Sequence, residues 1–197
     1  MNMGKSRLEA FSDGVIAIII TIMVLDLKQP AGADFAAIER VLPVFLNYVL
    51  SFVTIAIYWN NHHHLLQAAE RISGAVLWAN MHLLFWLSFF PFVTGWMGEN
   101  YSAPVPAILY GCIAFMAGFA YWLLGRVIIA VDGKQSRLAR AVGKDDKGVF
   151  SVLLYALGIA GAVFSATLSQ LFYVAVALMW LVPDRRIEKR LADQARE

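Results

Sequence analysis

The sequence predicts an all-α fold, a bundle of six transmembrane helices making a single domain over residues 1–197. Three observations predict it. The composition is 60% hydrophobic and 15% charged, with a mean hydropathy of +0.64, whereas a water-soluble domain carries roughly 45–50% apolar and about 25% charged residues. A chain this short cannot hide that much apolar surface inside itself, so lipid must cover the remainder. Second, six apolar runs recur along the chain, near 8–27, 41–61, 73–96, 104–126, 149–165 and 168–183, and about 20 mostly apolar residues are needed to cross roughly 30 Å of hydrocarbon. Third, the sixteen Lys and Arg residues alternate between the two ends of those runs, fourteen at one end and two at the other.

The first run follows Lys5 and Arg7 and precedes Ala31-Gly32-Ala33, the outline of a cleavable signal peptide. Asp13 inside the run, with Asp26 and Lys28 between run and candidate cleavage site, argues instead for a retained span. The second and third runs flank a short loop holding Arg71. Gly95, Gly98, Asn100, Pro104 and Pro106 are expected to punctuate the turn between runs three and four, with Trp96 and Tyr101 as interfacial anchors. The segment 126–148 is polar and basic, suited to a short helix or a connector. Residues 149–183 are nearly unbroken in hydropathy, but as one helix they would reach about 52 Å, far beyond the bilayer. A hairpin turning near Ser165–Ser169 resolves this, and the charged tail from Asp184 to Glu197 is expected as a helix near anionic headgroups.

Orientation follows from the basic residues. Lys5, Arg7, Arg71, Arg126, Lys134, Arg137, Arg140, Lys144, Lys147, Arg185, Arg186, Lys189, Arg190 and Arg196 share one side, and only Lys28 and Arg40 the other. Five or seven spans would scramble this alternation. Six spans put both termini in the cytoplasm of a multi-pass protein of the cell membrane. Cys112, the only cysteine, lies in an apolar run and reads as a small buried hydrophobe.

Polar side chains inside spans are costly and mark functional candidates. The first span carries Arg7, Glu9, Ser12, Asp13 and Thr21. Projected at about 100° per residue, Ile18, Ile22, Leu25, Phe11, Gly14 and Thr21 share one face, and Ser12 and Asp13 lie on the opposite side. That stripe is equally compatible with plain lipid contact, since periodicity cannot choose within a wholly apolar span. Asp13 has no partner at helical spacing on its own helix, so one of the histidines of the second span is expected to meet it. His62, His63 and His64 are consecutive, and adjacent helical positions diverge too far to hold one metal ion. A potassium filter of the Thr-Val-Gly-Tyr-Gly type is missing from the sequence, as are a P-loop, Gly-x-Ser-x-Gly and His-Glu-x-x-His. No enzymatic activity, metal, cofactor or nucleic-acid partner is expected.

The segment Arg7-Leu8-Glu9-Ala10-Phe11-Ser12-Asp13 reads Arg-x-x-x-Phe-Ser-Asp and opens the first span. With Ser51-Phe52, Tyr58-Trp59, His62-His63, Trp78, Asn80 and Pro91-Phe92, it resembles the endolysosomal potassium channel family called transmembrane protein 175, in its prokaryotic form. The resemblance implies a homotetramer with a central pore lined by four copies of the first helix. It implies Ile18 as the main constriction, Ile22 and Leu25 one and two turns further out, and Thr21 as a hydroxyl close to the ion path. Arg7, Phe11, Ser12 and Asp13 are implied to be structural, with His63, Trp78 and Asn80 as their partners. The expected activity is passage of potassium ions, with modest selectivity over sodium because no oxygen cage replaces the hydration shell. Asp26 is placed to concentrate cations at the outer mouth. The alternative is a proton-coupled secondary transporter using Asp13 and a histidine, although such carriers usually show helices broken at mid-membrane.

Overall fold

The computed structural model describes residues 3–142 and 146–181, and every regular element among them is an α-helix. These are α1 (Met3–Leu25), α2 (Phe35–Ala68), α3 (Gly74–Leu87), α4 (Phe90–Glu99), α5 (Pro104–Asp132), α6 (Arg137–Val142), α7 (Asp146–Gly161) and α8 (Ala166–Leu181). Four stretches are long and apolar enough to cross a membrane: Gly4–Leu25, Phe35–Ala68, Gly74–Glu99 and Pro104–Asp132. The α8 helix has 16 residues, so it extends about 24 Å, slightly less than the hydrocarbon thickness. Lys144, the tail from Asp184 to Glu197 and its five basic residues lie outside the described residues.

The helix ends follow from local chemistry. Asp34 caps α2 by accepting from the Ala37 amide at 2.9 Å, and Ser73 does the same for α3 through the Val76 amide. Pro104 opens α5, where its missing N–H costs nothing. Pro91 acts differently. Its ring excludes the carbonyl four residues back, and Ser88 and Phe89 separate α3 from α4 while keeping helical dihedrals. The Ser88 amide still donates to Leu84, and the Val93 amide to Phe89. The two helices therefore follow one another as a single stretch, Gly74–Glu99.

Two turns differ from expectation. Gly95, Trp96 and Gly98 belong to α4, and only Asn100–Ala103 separates it from α5. A Cβ on Gly98 would sit 3.0 Å from the Val44 Cα, so this glycine permits close contact between α4 and α2 and marks no turn. In the last hairpin the break falls at 162–165. Ser165 accepts from the Leu168 amide and starts α8, which leaves Ser169 fully buried within the helix.

The α5 helix forms the mast of the bundle, packed against α3, α4, α7 and α8. It turns small side chains inward (Ala107, Gly111, Ala114, Ala117 and Ala120), and these let backbones approach closely. The ring of Tyr173 from α8 fills the notch they leave, with its hydroxyl donating to the Ala107 carbonyl at 2.9 Å. A Cβ on Gly111 would lie 2.1 Å from that hydroxyl, and one on Gly158 would lie 2.5 Å from the ring. A second buried seam joins three helices: Thr94 of α4 donates to Ser51 of α2 at 2.6 Å, and Ser51 meets the Tyr110 hydroxyl of α5 at 3.1 Å.

At one end of the bundle, the Lys5 ammonium donates to the Gln67 and Ala69 carbonyls that finish α2. There too the Asp132 carboxylate accepts from the Glu70 and Arg71 amides at 2.8 and 3.0 Å, and Arg71 reaches the Val131 carbonyl. At the other end Lys28 pairs with Glu99 at 2.5 Å. The bond to Glu99 raises the lysine above its ordinary range. Both groups are exposed, so solvent leaves this pair weak.

The Tyr173 slot generates a stability prediction. Gly111→Ala is expected to destabilise the detergent-solubilised protein by about 1–3 kcal/mol through overpacking, against about 1 kcal/mol for Tyr173→Phe, which removes only one hydrogen bond. Equal thermal unfolding midpoints for Gly111→Ala and wild type would show that the slot is not close-packed.

Candidate functional site

The α1 helix has two unlike faces. Leu8, Ser12, Ile16, Ile19 and Met23 recur at helical spacing and are buried against α2, α3 and α4. The opposite stripe is bare: Phe11 is 51% exposed, Ile18 57%, Ile22 43% and Leu25 80%. Thr21 lies on the same side, and its hydroxyl donates to the Ala17 and Ile18 carbonyls, both at 3.0 Å. With the proton held by the helix, the oxygen lone pairs are left to face outward.

A buried chain of hydrogen bonds sets that division. His62 Nε2 lies 2.7 Å from Asn80 Oδ1, Asn80 Nδ2 donates to Ser12 Oγ at 2.9 Å, and Ser12 donates to the Leu8 carbonyl at 2.8 Å. Because the Asn80 oxygen only accepts, His62 must carry its proton on Nε2. All three side chains are at least 99% buried, so the chain stitches α1, α2 and α3 together from within.

Asp13 sits beside this chain and takes a different partner, accepting from the Trp59 indole at 2.9 Å. The expected histidine is not its hydrogen-bond partner. His63 instead stacks on the Trp59 ring at 6.2 Å and meets His64 edge-on. Of the three partners expected for the motif, the structure brings only Asn80 to it. The Trp78 side chain is 79% exposed, and Arg7 is exposed as well. His82 accepts from the Trp86 indole within α3. Among the described residues, no group of three or more His, Cys, Asp or Glu side chains is arranged to hold a metal.

Sequence reasoning missed His62 and Trp59, and a signal for His62 was present. Ser51, Ile55, His62 and Leu66 form one buried stripe of α2, and His63 points about 100° away from it. At the far end of α1, Leu25 and Asp26 border a cavity of about 480 Å³ together with Lys28, Trp96 and Glu99.

An apolar helical bundle with satisfied polar seams, charged ends and four membrane-length stretches defines an all-α, multi-pass membrane protein. Comparison with known proteins narrows the class. Residues 7–91 match the family described as endosomal/lysosomal potassium channel TMEM175. A potassium channel from Chryseobacterium sp. (strain P1-3) is 50% identical over 191 residues, covering 97% of this chain and 100% of the relative. The endosomal/lysosomal proton channel TMEM175 of Gallus gallus is 30% identical over 182 residues, covering 82% of this chain and 36% of that protein. The crystal structure of a lysosomal potassium-selective channel TMEM175 homolog from Chamaesiphon minutus superposes with a TM-score of 0.78 at 25% identity, covering 92% of this chain and 98% of that one. The chain belongs to the TMEM175 family, a family of ion channels and not of enzymes.

The buried chain can be tested directly. Asn80→Leu strands the His62 donor in the interior and is expected to cost about 1–3 kcal/mol. In a double-mutant cycle Ser12→Ala and Asn80→Leu should be non-additive. Strict additivity of their unfolding midpoints would remove the link between the two residues.

Proposed function

We propose that the chain is a potassium-permeable cation channel of the cell membrane, assembled as a homotetramer around four copies of α1. Six spans make each subunit: α1, α2, the joined α3–α4 stretch, α5, α7 and α8. Both termini face the cytoplasm, in line with the fourteen-to-two division of basic residues. The narrowest passage is a ring of Ile18 side chains, with Ile22 and Leu25 further out and Thr21 offering oxygen lone pairs to the ion. Arg7, Phe11, Ser12 and Asp13 serve structure at the inner end. The observation that carries this reading is the exposed stripe of Ile18, Ile22 and Leu25, held away from the bundle by the buried face of the same helix. The potassium-channel relatives supply the ion.

An apolar neck gates by losing its water, because an ion cannot shed its hydration cheaply. Widening by an ångström or two readmits water and conduction. Discrimination between potassium and sodium is then modest, since no fixed cage of oxygens replaces the hydration shell. Asp26, one residue beyond Leu25 and exposed, adds negative charge at the outer mouth. The carrier alternative requires Asp13 joined to a histidine as a proton relay. It draws less support, since Asp13 bonds to Trp59 and His62 to Asn80.

Purified protein in liposomes provides the test, with potassium and sodium currents recorded against voltage. Ile18→Asn is expected to raise current several-fold and bring the two permeabilities closer, by wetting the neck. Unchanged conductance and selectivity in that variant would show that the constriction lies elsewhere. Asp13→Ala is expected to lower the yield of the assembled oligomer on size-exclusion chromatography without changing the selectivity of what assembles. Normal assembly with altered permeation would instead put Asp13 in the ion path.

A further inference from the structure

A second feature lies between α2, α5, α7 and α8, lined by no residue of α1. It is a cavity of about 90 Å³ bounded by Tyr58 and Asn61 of α2, Trp122 of α5, Ser151 and Tyr155 of α7, and Trp180 of α8. Its composition changes along its length. Tyr58 and Tyr155 lie toward the middle of their helices, whereas Asn61, Ser151 and Trp180 lie toward the ends that the basic segments adjoin.

Two cations stand at that end. The Arg126 guanidinium lies 5.3 Å from the Trp122 ring centre, and the Lys147 ammonium lies 5.8 Å from that of Trp180. The rings are held in turn. The Trp180 indole donates to Ser151 at 2.7 Å, and Ser151 donates to the Lys147 carbonyl at 2.8 Å. Segment 126–148 carries six basic residues against three acidic ones. Inside the cavity, Tyr155 is 7% exposed and forms part of the wall. A phenol on a cavity wall offers a donor to whatever fills the cavity.

We propose that this cavity is a binding site for an anionic phospholipid of the adjoining leaflet. The phosphate is taken by Arg126 and Lys147, a charge-assisted contact of the kind basic pockets between spans make with headgroups. Trp122 and Trp180 sit at the depth where amphipathic rings prefer to lie. The glycerol and first acyl carbons enter among the tyrosines, where the Tyr155 hydroxyl donates to an ester carbonyl. A free anion would satisfy the cations but leave the aromatic cavity and Tyr155 unused, which favours the lipid. The site requires only a bilayer, so it stands apart from the channel reading.

The test uses the full chain, delipidated in uncharged detergent, with binding followed by native mass spectrometry and by the thermal unfolding midpoint. The probes are phosphatidylglycerol, phosphatidylcholine and inorganic phosphate. Phosphatidylglycerol is expected to stay bound and to raise the midpoint, while the other two do neither. The double variant Arg126→Gln, Lys147→Gln should lose the preference for phosphatidylglycerol. Gly118→Leu, entering from a position whose Cβ would lie 3.5 Å from the Tyr58 hydroxyl, should weaken binding several-fold with net charge unchanged. Tyr155→Phe gives the same readout with a minimal change should the leucine variant fail to fold. Equal binding of phosphatidylglycerol and phosphatidylcholine, displacement by inorganic phosphate, or full binding by the charge variant would each overturn the proposal.

Discussion

The hydrogen-bond chain from His62 through Asn80 to Ser12 decides which side of α1 the rest of the molecule can use. A polar group in hydrocarbon must be satisfied by protein, and Ser12 and Asn80 are both fully buried. Rotating α1 by one residue would carry Ser12 about 100° off its partner and leave the Asn80 amide stranded. The register of the helix is therefore fixed at its inner end by three buried side chains. Everything on the opposite face, Phe11, Ile18, Ile22 and Leu25 included, is turned outward as a consequence. Hydrogen bonds that lie wholly behind the proposed ion path can thus determine what that path is made of.

Legibility from sequence varied with the length scale of the feature. Long apolar runs report helices well, because insertion energy sums over about twenty residues and tolerates errors at the ends. On α1 the projection separated Ser12 and Asp13 from Ile18, Ile22 and Leu25, but periodicity alone could not tell a pore face from lipid contact. On α2 three consecutive histidines offer three directions, and the one that enters the network, His62, stands one position before the expected His63. Trp59 as the partner of Asp13 was harder to foresee. An indole looks like an interfacial anchor in sequence, and only the packing of α1 on α2 shows that its N–H points at a carboxylate. Gly95 and Gly98 misled for another reason. Glycine serves both turns and close helix contacts, and composition cannot distinguish the two uses.

The remaining polar residues divide between the ends and the seams. Lys5, Arg71 and Asp132 tie the start of α1, the α2–α3 junction and the end of α5 into one cluster, while Thr94, Ser51 and Tyr110 form the seam near Met23. Between these lies an almost wholly apolar interior built on the small residues of α5. Association in a bilayer relies on such packing, as lipid supplies no hydrophobic drive between helices. The closest helix contacts thus lie at the Tyr173 slot of α5 and α8, while α1 adds its few hydrogen bonds to a buried apolar stripe.

The pins on α1 carry a mechanical consequence. Lys5 moors the helix at its beginning to the closing carbonyls of α2, and Lys28, just past its end, moors it to Glu99. A rod moored at both extremities, and held in register near its beginning by Ser12, has most of its freedom toward the far end. The two tethers are unequal, because the one at Lys28 is open to water and fades as salt rises. Rising ionic strength on that side of the membrane therefore loosens the far tether alone, while the buried bonds at Ser12 keep the near end in register.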